Sequence, residues 1–305
     1  MSFLTHNEKI VLIFLIVGTI ITLYVIAYLT SRTSNTYQKV GPYVINTTRT
    51  PVSGSMHHDL PDTITPQVWN DLAEDIYRVY HQYDSFVLVC DRSVIPHISS
   101  PLSFIIENLS KPVIITPPEE VKDSVKVASL TRIPEVMVFS HGKLLRGVRI
   151  NRSLMSPHLL PLTPITGLKP PTAPTTILKV KTNVVVGVVR MFPGIDSKYI
   201  KSIGSGIGTG LILEGTKIPT TKGFLQTISD MITGGVVVVA VVDKLDPKVL
   251  KAGVLSGYDM TTEAAHAKLS FLLSNVPDKS LIPQLMGHNL RGELTEEYTH
   301  PPKVA

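Results

Sequence analysis

Residues 83–116 read YDSFVLVCDRSVIPHISSPLSFIIENLSKPVIIT. Phe86–Cys90 is a short apolar run with the character of a buried strand. Leu102–Leu109 has the spacing and helix formers of a packed helix, and Pro112–Ile115 is a second apolar run. A strand, a helix and a strand in about thirty residues form a βαβ unit. Such a unit requires a parallel sheet and directs ligands to the C-terminal ends of its strands.

The whole chain has 305 residues, 43% hydrophobic and 17% charged, enough for one large or two moderate cores. The net charge is +5, but the basic residues are scattered and not interleaved with aromatics, so nucleic acid is not an expected partner. The single cysteine, Cys90, allows no internal disulfide, and its place at a strand end suits a buried apolar role. His57 and His58 have no Cys, Asp or His at convincing ligand spacing, so they read as a solvated loop pair and no metal is expected. The glycines of Gly204–Gly210 precede a strand and lack a following Lys-Ser or Lys-Thr, so they read as a connection rather than a phosphate loop. No cofactor is expected.

Ile10–Thr30, IVLIFLIVGTIITLYVIAYLT, carries no charge and is long enough to cross a hydrocarbon core of about 30 Å as a helix. Glu8 in the preceding segment and the length of the run argue against a cleaved signal peptide. A transmembrane anchor is therefore expected over 10–30, after a flank of 1–9 and before a polar tether of 31–41. The lipid bilayer is its partner. Arg32 and Lys39 lean the C-terminal part toward the cytosol, or toward a virion interior.

Several motifs then recur together. Leu102-Ser103-Phe104, Glu107-Asn108-Leu109 and Lys111-Pro112-Val113-Ile114 lie in the opening stretch. Thr65-Pro66-Gln67-Val68-Trp69 precedes it. Arg132-Ile133-Pro134-Glu135-Val136, the run Lys143–Arg149 and AGVLSGYDMTTEAAHAKL (252–269) follow it. In this combination the chain resembles the bacterial-type L-asparaginases over residues 44–275. The resemblance implies an α/β fold of two domains behind the transmembrane helix. A larger parallel-sheet domain spans 42–162, a Pro-rich linker 163–176, a smaller α/β domain 177–288 and a tail 289–305.

Site residues follow from the same resemblance. Thr50 takes the place of the family's nucleophilic threonine, but Thr48 and Arg49 replace the two glycines before it. Glycine at such a position supplies positive φ and close approach of the backbone. Arg92 and Ser93 stand for the second threonine and its aspartate, and Arg152 for the relay lysine. Leu60-Pro61-Asp62 stands for the substrate-holding Asp-Ser-Ser. An arginine cannot shuttle a proton at working pH. These replacements lead to the expectation of a membrane-anchored, catalytically inactive pseudoenzyme. It would act as a structural or docking subunit with other proteins, as in a virion capsid and membrane layer or an organellar complex, and would take no small-molecule substrate. The alternatives are an altered amidohydrolase or lysophospholipase-like enzyme using Thr50, or an anion or amino-acid sensor using Arg92 and Arg152. In the pocket, Arg92 is expected beside Arg152, with Asp91 and Asp62 as the neutralising acids.

Overall fold

The computed structural model describes residues 41–151, 170–204 and 209–295. The flank, anchor and tether expected over 1–40 lie outside the described residues, as do Arg152, 163–169 of the linker and 296–305 of the tail. Among the described residues no helix is long and apolar enough to cross a membrane. The longest, Thr262–Asn275, has 14 residues, short of the roughly 20 a span needs. The described residues thus lend no support to the transmembrane helix or to the single-pass localisation built on it, and the fold class they show is corrected to α/β without them.

The first sheet is built from β1 (Tyr43–Asn46), β2 (Met56–His57), β3 (Phe86–Val89), β5 (Val113–Thr116), β6 (Val136–Ser140) and β7 (Lys143–Arg146). Its order is β2-β1-β3-β5-β6-β7, parallel except for the β6–β7 hairpin. Helices α1 (Pro66–Arg78), α2 (Ile95–Ile105) and α3 (Val121–Leu130) connect its strands, and the short β4 (Ile106–Glu107) follows α2. Phe86–Val89 and Val113–Thr116 are wholly buried, as continuous apolar strands covered on both faces should be. The β6–β7 turn is made by His141 at φ 52° and Gly142 at φ 69°, the left-handed pair that a two-residue hairpin favours.

Two local expectations change. The helix in the opening stretch starts at Ile95, seven residues earlier than its most periodic part, with Pro96 in its first turn, and gives way to β4 at Ile106. Residues 117–126, whose two prolines and several charges suggest a loop, form a 3-10 turn and most of α3. Ser124 and Ala128 are the buried residues of the helix, and Val121, Val125 and Val127 pack partly buried against the sheet beside them.

β8 (Thr176–Ile177) pairs antiparallel with β4. The second sheet then holds β9 (Val186–Arg190), β10 (Gly210–Gly215), β11 (Val237–Val242) and β12 (Leu255–Ser256) in the order β12-β11-β10-β9, all parallel. Helices α4 (Ser197–Gly204), α5 (Lys222–Thr233), α6 (Pro247–Lys251), α7 (Thr262–Asn275) and α8 (Ile282–Met286) complete this half. Thr261 caps α7 by accepting a hydrogen bond from the Ala264 N–H at 3.1 Å. One continuous core joins the halves, with Phe104 of α2 against Phe271 of α7 at 6.0 Å between ring centroids.

Candidate active site

The C-terminal ends of β1 and β3 lie side by side, Asn46 opposite Val89. Beyond Asn46 the chain turns sharply through Thr47, Thr48, Arg49 and Thr50. Thr47 is fixed to β3: its N–H and its hydroxyl both donate to the Val89 carbonyl, at 2.9 and 2.7 Å. Asn46, almost fully buried, turns its amide back into the loop. Its Oδ1 accepts from the Thr48 N–H at 3.1 Å and the Thr48 hydroxyl at 2.9 Å, while its Nδ2 donates to the Thr50 carbonyl at 2.8 Å. Among the described residues only Asn108, His141 and Tyr258 are non-glycine residues with positive φ, so Thr48 and Arg49 make the turn without it. The replaced glycines thus do not prevent the loop from forming. Thr50 ends the turn exposed.

Cys90, next on β3, is completely buried, and burial pushes its thiol up to about 12. A neutral, enclosed thiol is a poor nucleophile, which leaves hydroxyls, those of Thr50 and Ser93 among them, as the candidates at this edge. Asp91 and Ser93 are exposed on the turn that follows.

Arg92 does not occupy a substrate pocket. Its Nε donates to Glu119 Oε1 at 2.7 Å, one terminal nitrogen to Glu120 Oε1 at 2.8 Å and the other to Ser140 Oγ at 2.9 Å. Glu120 also accepts the N–H groups of His141 (3.0 Å) and Gly142 (3.3 Å), so one carboxylate joins the guanidinium to the hairpin turn. Burial works against the Glu120 charge, but these donors prevail and hold its carboxyl below the ordinary range. The acids expected beside Arg92, Asp91 and Asp62, are not its partners. Sequence reasoning missed Glu119, Glu120 and Ser140 because they lie 27 to 48 residues from Arg92.

Asp62 instead lines a cleft of about 1530 Å³ between the two halves, with Trp69, His97, Arg149 and Asn151 from the first half. Arg190, Glu214, Tyr258, Asp259, Glu263 and His266 come from the second. Thr50 is not among the lining residues. Arg149 pairs with Asp259 at 2.8 Å, and Thr295 donates to the same carboxylate through its N–H at 3.1 Å. His266 donates or accepts through Nε2 at 3.2 Å from the Val186 carbonyl, so there it must be the donor. Burial lowers its pKa and keeps the ring neutral near pH 7. His57 and His58, expected as a solvated pair, are each tied down: His57 to Asp59 at 2.8 Å and His58 to the buried Asp75 at 2.6 Å.

Residues 54–156 match the family model described as asparaginase, N-terminal. L-asparaginase 1 of Escherichia coli (strain K12) is 34% identical over 275 residues, covering 77% of this chain and 81% of that protein. The chain belongs to the asparaginase family. The crystal structure of L-asparaginase I from Vibrio cholerae O1 biovar eltor str. N16961 superposes with a TM-score of 0.74 at 26% identity. That superposition covers 84% of this chain and 99% of the other. The 60 kDa lysophospholipase of Homo sapiens is 31% identical over 280 residues, which is 77% of this chain but 48% of that protein. These asparaginase relatives are named as enzymes. They overturn the expectation of an inactive structural or docking subunit of a virion or organellar assembly.

Proposed function

We propose that this member of the asparaginase family is an altered amidohydrolase that transfers an acyl group to Thr50. The observation that carries this reading is the loop after β1. A threonine stands exposed at the C-terminal edge of a parallel sheet, in a turn fixed by five hydrogen bonds from Thr47, Thr48 and Asn46, where the family resemblance puts the nucleophile. Strand ends of this kind are where α/β folds bind ligands.

In the reaction, Thr50 Oγ bonds to the carbonyl carbon of an amide or ester. Its proton goes to a base and the amine or alcohol departs. Water then cleaves the acyl-threonine and regenerates the hydroxyl. Asp91 is the carboxylate assigned to accept the proton. β1 and β3 pair with Asn46 opposite Val89, so the turns that carry Thr50 and Asp91 leave the sheet from adjacent strand ends. Arg92 is ruled out as the base, since a guanidinium held by two carboxylates stays protonated. Ser93 stands where the family's aspartate would be, so the substrate is expected to differ from asparagine.

The test is a substrate panel of asparagine, glutamine, N-acyl amino acids and lysophosphatidylcholine, reading release of ammonia, free amine or fatty acid. We expect turnover of at least one compound, lost by more than about a hundredfold in Thr50→Ala. Turnover that survives Thr50→Ala, or none on any compound, overturns the reading.

A further inference from the structure

The β1 loop contains a residue whose side chain has no structural alternative. Asn46 presents an acceptor to the Thr48 N–H and hydroxyl and a donor to the Thr50 carbonyl. The two backbone groups are of opposite kinds, so the amide fits in one orientation only. Aspartate would keep the acceptor and lose the donor. Alanine would lose both, and glutamine is a methylene too long for the same turn. This is an Asx-type turn, in which a short side chain mimics a backbone turn. It closes a loop whose Thr48 and Arg49 stay out of the left-handed region. The backbone carbonyl of Asn46 accepts from the His58 N–H at 3.0 Å, so the residue is anchored from behind as well.

We infer that Asn46 is a positioning residue for Thr50. Its amide holds the Thr50 carbonyl, and with it the direction of the Thr50 hydroxyl, doing with a side chain what glycine would do with backbone freedom. The inference rests on the Thr50 reading and goes beyond it by naming the group that replaces the missing glycines.

Two measurements on the same full-length proteins test it. Amide hydrogen exchange at Thr48 reports the turn whether or not any substrate is turned over. Steady-state kinetics on the best substrate of the panel report the chemistry. In Asn46→Ala, Thr48 exchange should accelerate at least tenfold and kcat should fall about 10- to 100-fold with KM within threefold. In Asn46→Asp, which keeps the size and the Thr48 acceptor and so guards against a folding defect, Thr48 should stay protected while kcat falls by a similar factor. Unchanged Thr48 exchange in Asn46→Ala, or full kcat in Asn46→Asp, overturns the inference and leaves the Thr50 reading intact. Wild-type protein with a protected Thr48 but no Thr50-dependent turnover overturns both, and shows that the turn forms without chemistry.

Discussion

The guanidinium of Arg92 and the carboxylate of Glu120 meet at 2.8 Å, and the same carboxylate oxygen takes the His141 N–H at 3.0 Å. A position that the family resemblance assigns to catalysis is thus committed to joining three strand ends, those of β3, β5 and β6. Replacing Arg92 by Ala should cost about 1–3 kcal/mol of stability, because it strips charge-assisted bonds from a half-buried site. Thr50-dependent turnover should stay within about threefold of wild type. Urea denaturation and the substrate panel check the two halves of this expectation.

The latch should also respond to acid. The Glu120 carboxyl lies below its ordinary value of 4.5 in the folded chain. The unfolded state therefore takes up protons first as pH falls, so the contribution of Glu120 to stability is fully present above that ordinary value. It is lost as pH drops through the lower folded value. Wild-type protein should exceed Glu120→Gln in urea midpoint above the ordinary carboxylate value, and the gap should close as pH falls below it. A gap that widens in acid would mean that Glu120 is not held as the charged form.

Lys268 and Glu293 form a second pair of a different kind. Both side chains are wholly enclosed at 2.6 Å, and the ammonium also donates to the Met286 carbonyl at 2.9 Å and to that of His288. Glu293 accepts the N–H groups of Leu290 and Arg291, which ties residues 286–293 to α7. Lys268→Met alone should destabilise by about 3–5 kcal/mol, since it leaves a buried carboxylate unpaired. The combined change Lys268→Met and Glu293→Leu should recover a good part of that loss, as a double-mutant cycle by chemical denaturation would show.

How much of this was legible in the chain depends on how far each signal reaches. Phe86–Val89 and Val113–Thr116 declared themselves because strands buried on both faces are apolar throughout, and the parallel sheet followed from the helix between them. Helix α3 hid because two prolines and several charges precede and enter it, although Val121, Val125 and Ala128 stand at helical spacing and pack on the sheet. The partners of Arg92 could not be read locally: Glu119 and Glu120 come alongside only when β3 and β5 pair. Asn46 was readable in principle, since Asn followed two residues later by Thr at a strand end is a turn signal. The expectation of inactivity drew partly on the missing glycines and partly on Arg92, Ser93 and Arg152, whose surroundings no local signal reveals.

Acylation of Thr50 tests the central claim most directly. Wild-type protein is mixed with an activated ester such as p-nitrophenyl acetate, quenched in acid and digested, and the peptide containing Thr50 is weighed. An acetyl group on Thr50 in wild type, and none at that site in Thr50→Ala or after prior unfolding, is the expected result. Acetylation confined to lysines and other surface groups, with Thr50 unmodified, would contradict the assignment of Thr50 as the nucleophile.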